Sequence, residues 1–186
     1  QEYTADDLSF VGGSVNIAEG GNFVAASQNG SVTFGDMNVA GTAVADNRQT
    51  TGNNADGKAI LAGKVTLQGA DANGGLLTAN SFTANPGASL QVESGKYGQI
   101  VAKDQQLLDL TNVDTEVNGT LTLKGDNLTG AKISKVTVGN GGKLNIEGSL
   151  EKNDASDVLA LNGADKTTAG VVSAKDYSAF TGILQT

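Results

Sequence analysis

Apolar residues recur along the chain in short alternating runs. In the stretch Val136–Gly148, Val136 and Val138 alternate with polar residues, Gly139-Asn140-Gly141-Gly142 intervenes, and Leu144 and Ile146 then alternate again. Period-2 alternation over short runs bounded by Gly, Asn or Asp predicts a short strand, a tight turn and a second strand. The same signature runs through Leu8–Gly12, Ser14–Gly21, Asn22–Ser27 and Ser31–Gly41. It resumes over Ala59–Gly69, Gly75–Gly95 and Tyr97–Ala102, and again over Leu107–Val113, Thr115–Gly125 and Ala131–Leu150. No long helical period interrupts these runs. Asp154–Gly163 and Ala174–Leu184 fit either a short helix or a strand, with Asp154, Ser156 and Asp157 as candidate helix caps. Thr42–Lys58 is polar and rich in Asn, Asp, Gly and Thr, which predicts a surface loop or insertion over 42–58.

The runs also resemble one another. Phe82–Gly95 laid over Val136–Ser149 at one constant offset pairs Phe82 with Val136, Gly87 with Gly141, Leu90 with Leu144, Val92 with Ile146 and Glu93 with Glu147. A third copy, Val15–Ala25, places Gly20, Gly21 and Phe23 over Gly141, Gly142 and Leu144. The shared unit is apolar-x-apolar, a Gly turn, then apolar-x-apolar, and internal repetition of this kind points to stacked units.

Such units build either an antiparallel β-sandwich or a parallel β-helix. Strands shorter than the usual ~5–6 residues favour the helix. So does an interior set of Val, Leu, Ile and Ala, which suits a narrow solenoid. The expectation is therefore one all-β solenoid domain over 1–186, with the sandwich as the alternative. At roughly 20–25 residues per coil it would have about seven to nine coils, or ~35–45 Å of stack. A solenoid needs capped ends. Leu8 and Phe10 are candidates at one end, and Tyr177–Leu184 at the other, within a C-terminal cap over 154–186.

Composition narrows the chemistry. Aromatics are only 4%, Trp and Cys are absent, and Gly reaches 26 residues against a single Pro. Turns are therefore made by Gly, Asn and Asp. The absence of Cys excludes disulfides and thiolate sites, and the absence of His removes the commonest general base and most zinc sites. With a net charge of −8 and twelve scattered cations, the chain is not expected to bind nucleic acid. No stretch is long and apolar enough to cross a membrane as a helix. The start at Gln1, without Met, is expected to reflect processing after export.

The segments "VTVGNGGKLNIEGSL", "LTANSFTANPGASLQVESG" and "NGTLTLKGDNLTG" resemble the passenger regions of bacterial autotransporters and related surface adhesins. The resemblance extends over Ser14–Leu150, with a gap at Thr42–Lys58. It implies a right-handed parallel β-helix and exposure on a bacterial cell surface. The membrane β-barrel of a complete autotransporter has no counterpart in this sequence.

Candidate chemistry is sparse. Asp6-Asp7 and Asp154 with Asp157 are carboxylate pairs of the kind glycoside hydrolysis needs, but they are better explained as solvated surface groups. Asp109 with Asp114, or Asp154 with Asp157, are the weak candidates for calcium, without the loop patterns that mark strong sites. "GNGG" lacks the Lys-Ser/Thr and helix of a phosphate loop. Sequons fall at Asn29, Asn118 and Asn127. We assign no catalytic, cofactor-binding or metal-binding residues. The expected function is that of a non-enzymatic, exported structural or adhesive solenoid at the cell surface, with loops such as Thr42–Lys58 carrying recognition. Its expected partner is a surface glycan or protein of a host or neighbouring cell, or another copy of itself. The alternative is a filament or matrix subunit assembled by strand pairing, coil on coil or by donation of Gln1–Val11. A glycan-active enzyme is disfavoured by the missing His, Trp and aromatic cleft.

Overall fold

The computed structural model describes residues 2–5, 7–48, 55–103, 107–125, 130–139, 141–151, 154–163, 165, 168–176 and 178–185. Its strands pair in parallel with partners roughly one coil away in sequence. β1 (Glu2–Ala5) precedes the first coil, which is β2 (Leu8–Ile17) and β3 (Asn22–Ser27). The second coil is β4 (Ser31–Val39) and β5 (Thr42–Asn47), and the third is β6 (Lys58–Leu61), β7 (Lys64–Leu67) and β8 (Leu76–Ala79). The fourth is β9 (Ser81–Ala84), β10 (Ala88–Val92) and β11 (Tyr97–Ala102). The fifth is β12 (Leu107–Val117) and β13 (Thr120–Lys124), and the sixth is β14 (Gly130–Val138) and β15 (Lys143–Ile146). The seventh is β16 (Ser149–Leu150), β17 (Val158–Leu161) and β18 (Val171–Ser173), and β19 (Ile183–Gln185) follows.

Each coil has three sides. The long strands cover two of them: β6 pairs with the first half of β4 and β7 with its second half. The register slips where such strands bend, between Phe10 and Ser14 and between Leu110 and Asp114. The third side is the separate sheet β1-β3-β5-β8-β11-β13-β15-β18. The result is a right-handed parallel β-solenoid of about seven turns, roughly 35 Å long at one strand spacing per turn.

Alternation sends every second side chain inward, where it sits on its counterpart one coil away. On the third side, Leu77, Ile100, Leu123 and Ile146 form such a row, evenly spaced along the chain. The first side stacks Leu8, Val32, Ala59, Phe82, Leu108, Ala131 and Leu150. Bulky and small residues share that row, as close packing requires. The fully buried Phe34 and Phe82 share the core with third-side alanines such as Ala25, Ala45 and Ala79. The inward rows of all three sides belong to one hydrophobic cluster.

Three expectations change. The stretch 42–58 is not a loop from its start: Thr42–Asn47 forms β5, with Ala43, Val44, Ala45 and Asp46 buried. Its Asn and Asp content masks an alternating strand whose inward positions are alanines. Lys58 likewise opens β6. An insertion does follow Asn47, since the step along the chain from Ala43 to its stacking partner Leu77 is longer than the next step, from Leu77 to Ile100. Residues 49–54 lie outside the described residues, but the returning Ala55 packs on Val24 and Val44 on the outer side of the third sheet. Second, Asp154–Asp157 starts no helix. The Asp154 side chain closes a turn that leads into β17. Third, the internal match of Phe82–Gly95 to Val136–Ser149 does not join equivalent positions of stacked coils. Phe82 stacks on Leu108 of the first side, whereas Val136 belongs to the second. The repeated phrase is a strand–corner–strand unit used at different corners, with Gly87 and Gly141 both in the left-handed region at φ 91° and 76°.

At the ends, Leu8 and Phe10 are half-buried against the core. The Phe10 ring stacks on Phe34 at 6.1 Å and meets Phe23 edge-on at 5.2 Å. Phe180 packs partly buried at the other end, while Leu184 is exposed and Tyr177 lies outside the described residues.

Two interior positions test the stacking with opposite signs. Gly98 occupies an inward position paired with Leu121, and an added Cβ would come within 2.7 Å of the Leu67 Cβ and 3.0 Å of a Val92 methyl. Gly98→Val is expected to destabilise by about 1–3 kcal/mol through overpacking. Thr115 is inward between Leu90 and Val136, 3% exposed, and its hydroxyl bonds to no described residue. Thr115→Val, which keeps the shape and removes the stranded hydroxyl, is expected to stabilise by about 1 kcal/mol. Denaturant midpoints of the two variants against wild type check both signs.

Candidate functional site

The carboxylates singled out from the sequence are spread over the solenoid. Asp7 accepts a hydrogen bond from the Asn29 amide across one coil, and Asp6 lies outside the described residues. Asp109 Oδ1 accepts from the Thr111 N–H at 3.0 Å and its hydroxyl at 2.7 Å, which closes a turn at the bend of β12. Asp114 lies beyond that bend, 3.8 Å from the Lys135 ammonium, and both side chains are well exposed. An ion pair in that setting contributes little. Among the described residues, no three metal-capable side chains gather at one place. Of the sequon residues, Asn29 is exposed and accepts from the Ser31 N–H at 2.9 Å, and Asn118 donates to Glu116 Oε1 at 3.0 Å. Asn127 lies outside the described residues.

Asp154 and Asp157 do come together, as the two ends of one turn. Asp157 Oδ2 accepts from the Asp154 N–H at 2.9 Å. Asp154 Oδ1 accepts from the Ser156 N–H at 2.9 Å and its hydroxyl at 2.8 Å. The Ser156 backbone N–H, and then its hydroxyl, hold the Asp154 carboxyl below the usual carboxylate range. This is the hydrogen bonding of a turn on a surface loop.

Among the described residues, unequal corners and side chains leave depressions, three of which stand out. The first is a notch of about 320 Å³ where the short Ala40-Gly41 corner lies between the longer corners of coils one and three, with Glu19 and Asp71 among its walls. The second is a polar cleft of about 280 Å³ on the outer surface of the second side, around Asp36, Asn38, Lys64, Thr66 and Gln91. Its outward rows follow the register of the sheet, so Asn16 lies beside Asn38, Asn38 beside Thr66, and Thr66 beside Gln91. The Asn38 amide donates to Asn16 Oδ1 at 2.8 Å. The third is an apolar cavity of about 410 Å³ at the last coils, between Leu150, Leu159, Leu161, Val172, Phe180 and Leu184. None of the three was legible in the sequence, because each depends on which residues the coil register sets side by side.

The fold defines the class as a right-handed parallel β-solenoid. No family model, curated protein or solved structure matches the chain.

The turn before β17 makes a pH prediction. Because the folded-state pKa of Asp154 is depressed, its contribution is present at neutral pH and is lost as pH falls through that value. In an NMR carboxyl titration, Asp154 is expected to titrate below ordinary aspartates. Ser156→Ala should raise its midpoint only partway, since the Ser156 N–H remains. A wild-type midpoint at the ordinary value would contradict the turn geometry.

Proposed function

We infer that this chain is a non-enzymatic structural or adhesive solenoid, exported to a cell surface or the extracellular space, where its outward side chains make the attachments. The observation that carries this reading is the division of labour in the fold. Inward positions form one continuous apolar core, while outward positions form polar rows repeated at each coil, such as Asn16, Asn38, Thr66, Gln91 and Glu116 on the second side. A stack of coils resists bending because each coil is hydrogen-bonded to the next along three sides. That suits a scaffold that holds side chains at fixed spacing. Partners of this reading are surface glycans or proteins.

The test is attachment. The chain has no Cys, so a single introduced surface Cys takes one fluorophore. Saturable binding of labelled chain to bacterial or epithelial cells, and protease accessibility of the native protein on intact cells, are the expected results. Release of reducing sugar from a polysaccharide panel, or protection from protease until lysis, overturns the reading.

A second reading, a filament subunit assembled by coil-on-coil pairing, is favoured by the end surfaces. Val171 is 52% exposed, Ile183 46% and Leu184 60% on the last strands, with Leu184 lining the apolar cavity, and Val11 is 54% exposed in the first coil. Unpaired strand edges recruit partners. Donation of Gln1–Val11 has a competitor in the chain itself, since Glu2–Ala5 pairs with Val24–Ser27 and Leu8–Phe10 with Val32–Phe34. Under this reading, light scattering shows mass rising with concentration, and Leu184→Lys abolishes the rise. A monomer at all concentrations rejects it.

A further inference from the structure

Thr66 is out of keeping with its position. It lies between the core residues Val65 and Leu67 in β7, so its side chain points outward, yet it is only 4% exposed. Its hydroxyl bonds to no described residue, and it lines the polar cleft of the second side. The register explains the cleft. Thr66 is the short side chain in a row where Asn38 precedes it and Gln91 follows it, so longer side chains stand on both sides of a low point. Asp36 and Lys64 border the cleft at one end of the strands, and Gln68 and Glu93 at the other.

We propose that this cleft binds one uncharged sugar ring of a carbohydrate chain, with the Thr66 hydroxyl as the buried contact. The proposal rests on the adhesive reading and gives it a site. The lining mixes amides and hydroxyls, which both donate and accept, with carboxylates that only accept and an ammonium that only donates. Neighbouring ring hydroxyls donate and accept at once and match such a set. Two carboxylates, Asp36 and Glu93, face one ammonium, Lys64. That balance opposes a sulfated or phosphorylated ligand. A peptide adding as a strand has no purchase here, because β4, β7 and β10 are hydrogen-bonded to one another across the floor. The volume of about 280 Å³ falls at the small end of ligand sites, a size for one ring.

The experiment is an amide chemical-shift titration of the full chain with maltohexaose, cellohexaose, chitohexaose and a heparin hexasaccharide at ~10 mM, where even a millimolar site is mostly filled. A neutral oligosaccharide is expected to shift resonances of β4, β7 and β10 around Thr66. Thr66→Val, which keeps the shape and loses the hydroxyl, is expected to weaken binding about 10-fold. Thr66→Gln, which fills the low point, is expected to abolish it, with circular dichroism unchanged. Silence from every neutral sugar, stronger binding of the heparin fragment, or wild-type affinity in both variants overturns the proposal. Cell attachment that survives Thr66→Gln defeats this site and leaves the adhesive reading standing. Wild-type chain that attaches to no cell defeats the reading itself.

Discussion

Everything in this protein depends on in-register stacking of one coil on the next. A single coil encloses too little volume to bury its own side chains. Its inward residues leave water only because the coils above and below cover them. Each parallel pairing therefore does two jobs: it satisfies backbone hydrogen bonds and it places apolar side chain on apolar side chain. A register slip by one residue would turn an inward row outward, so alternation and pairing specify each other. The row Leu77, Ile100, Leu123 and Ile146 shows the constraint at its most regular.

The constraint is strict inside and loose at the corners. Inward rows accept trade-offs of size, as where Ala59 lies next to Phe82, provided the layer remains filled. Corners can be as short as Ala40-Gly41 or as long as the turn before β8 that includes Asp71 and Asn73. Their length does not disturb the strands they join. This freedom produces the surface relief: the notch over the short corner and, after β5, the return of the chain at Ala55, which packs on Val24 and Val44. The polar cleft arises differently, from a short side chain within an outward row. In both cases, surface shape is added without cost to the core.

The fold was legible because period-2 alternation between Gly and Asn turns is a local signal repeated many times, as in Val136–Gly148. The coil period is harder to see. It is plain between Leu77 and Ile146, but the step between Ala43 and Leu77 is stretched by the insertion after β5. A uniform spacing therefore never covers the whole chain. The best internal match, Phe82–Gly95 over Val136–Ser149, joins corners of different sides. Thr42–Asn47 reads as loop because its inward residues are alanines and its remaining positions include Asp46 and Asn47, which weakens the hydrophobic contrast that marks a strand. The surface sites were not legible at all. Nothing local in "KVTLQ" distinguishes Thr66 from any outward threonine.

The sequence alone determined the all-β character, the tight Gly corners, the small aliphatic interior and the absence of Cys and His chemistry. Each of these follows from residue type and nearest-neighbour pattern. Only the tertiary structure decided which strands stack, where the three sides meet and which outward side chains become neighbours. Those relations join residues about a coil apart in sequence, and corner length, which carries little energetic penalty, sets them. Thr66 is buried because Asn38 and Gln91 arrive beside it from adjacent coils, and that adjacency exists only once the coils are wound.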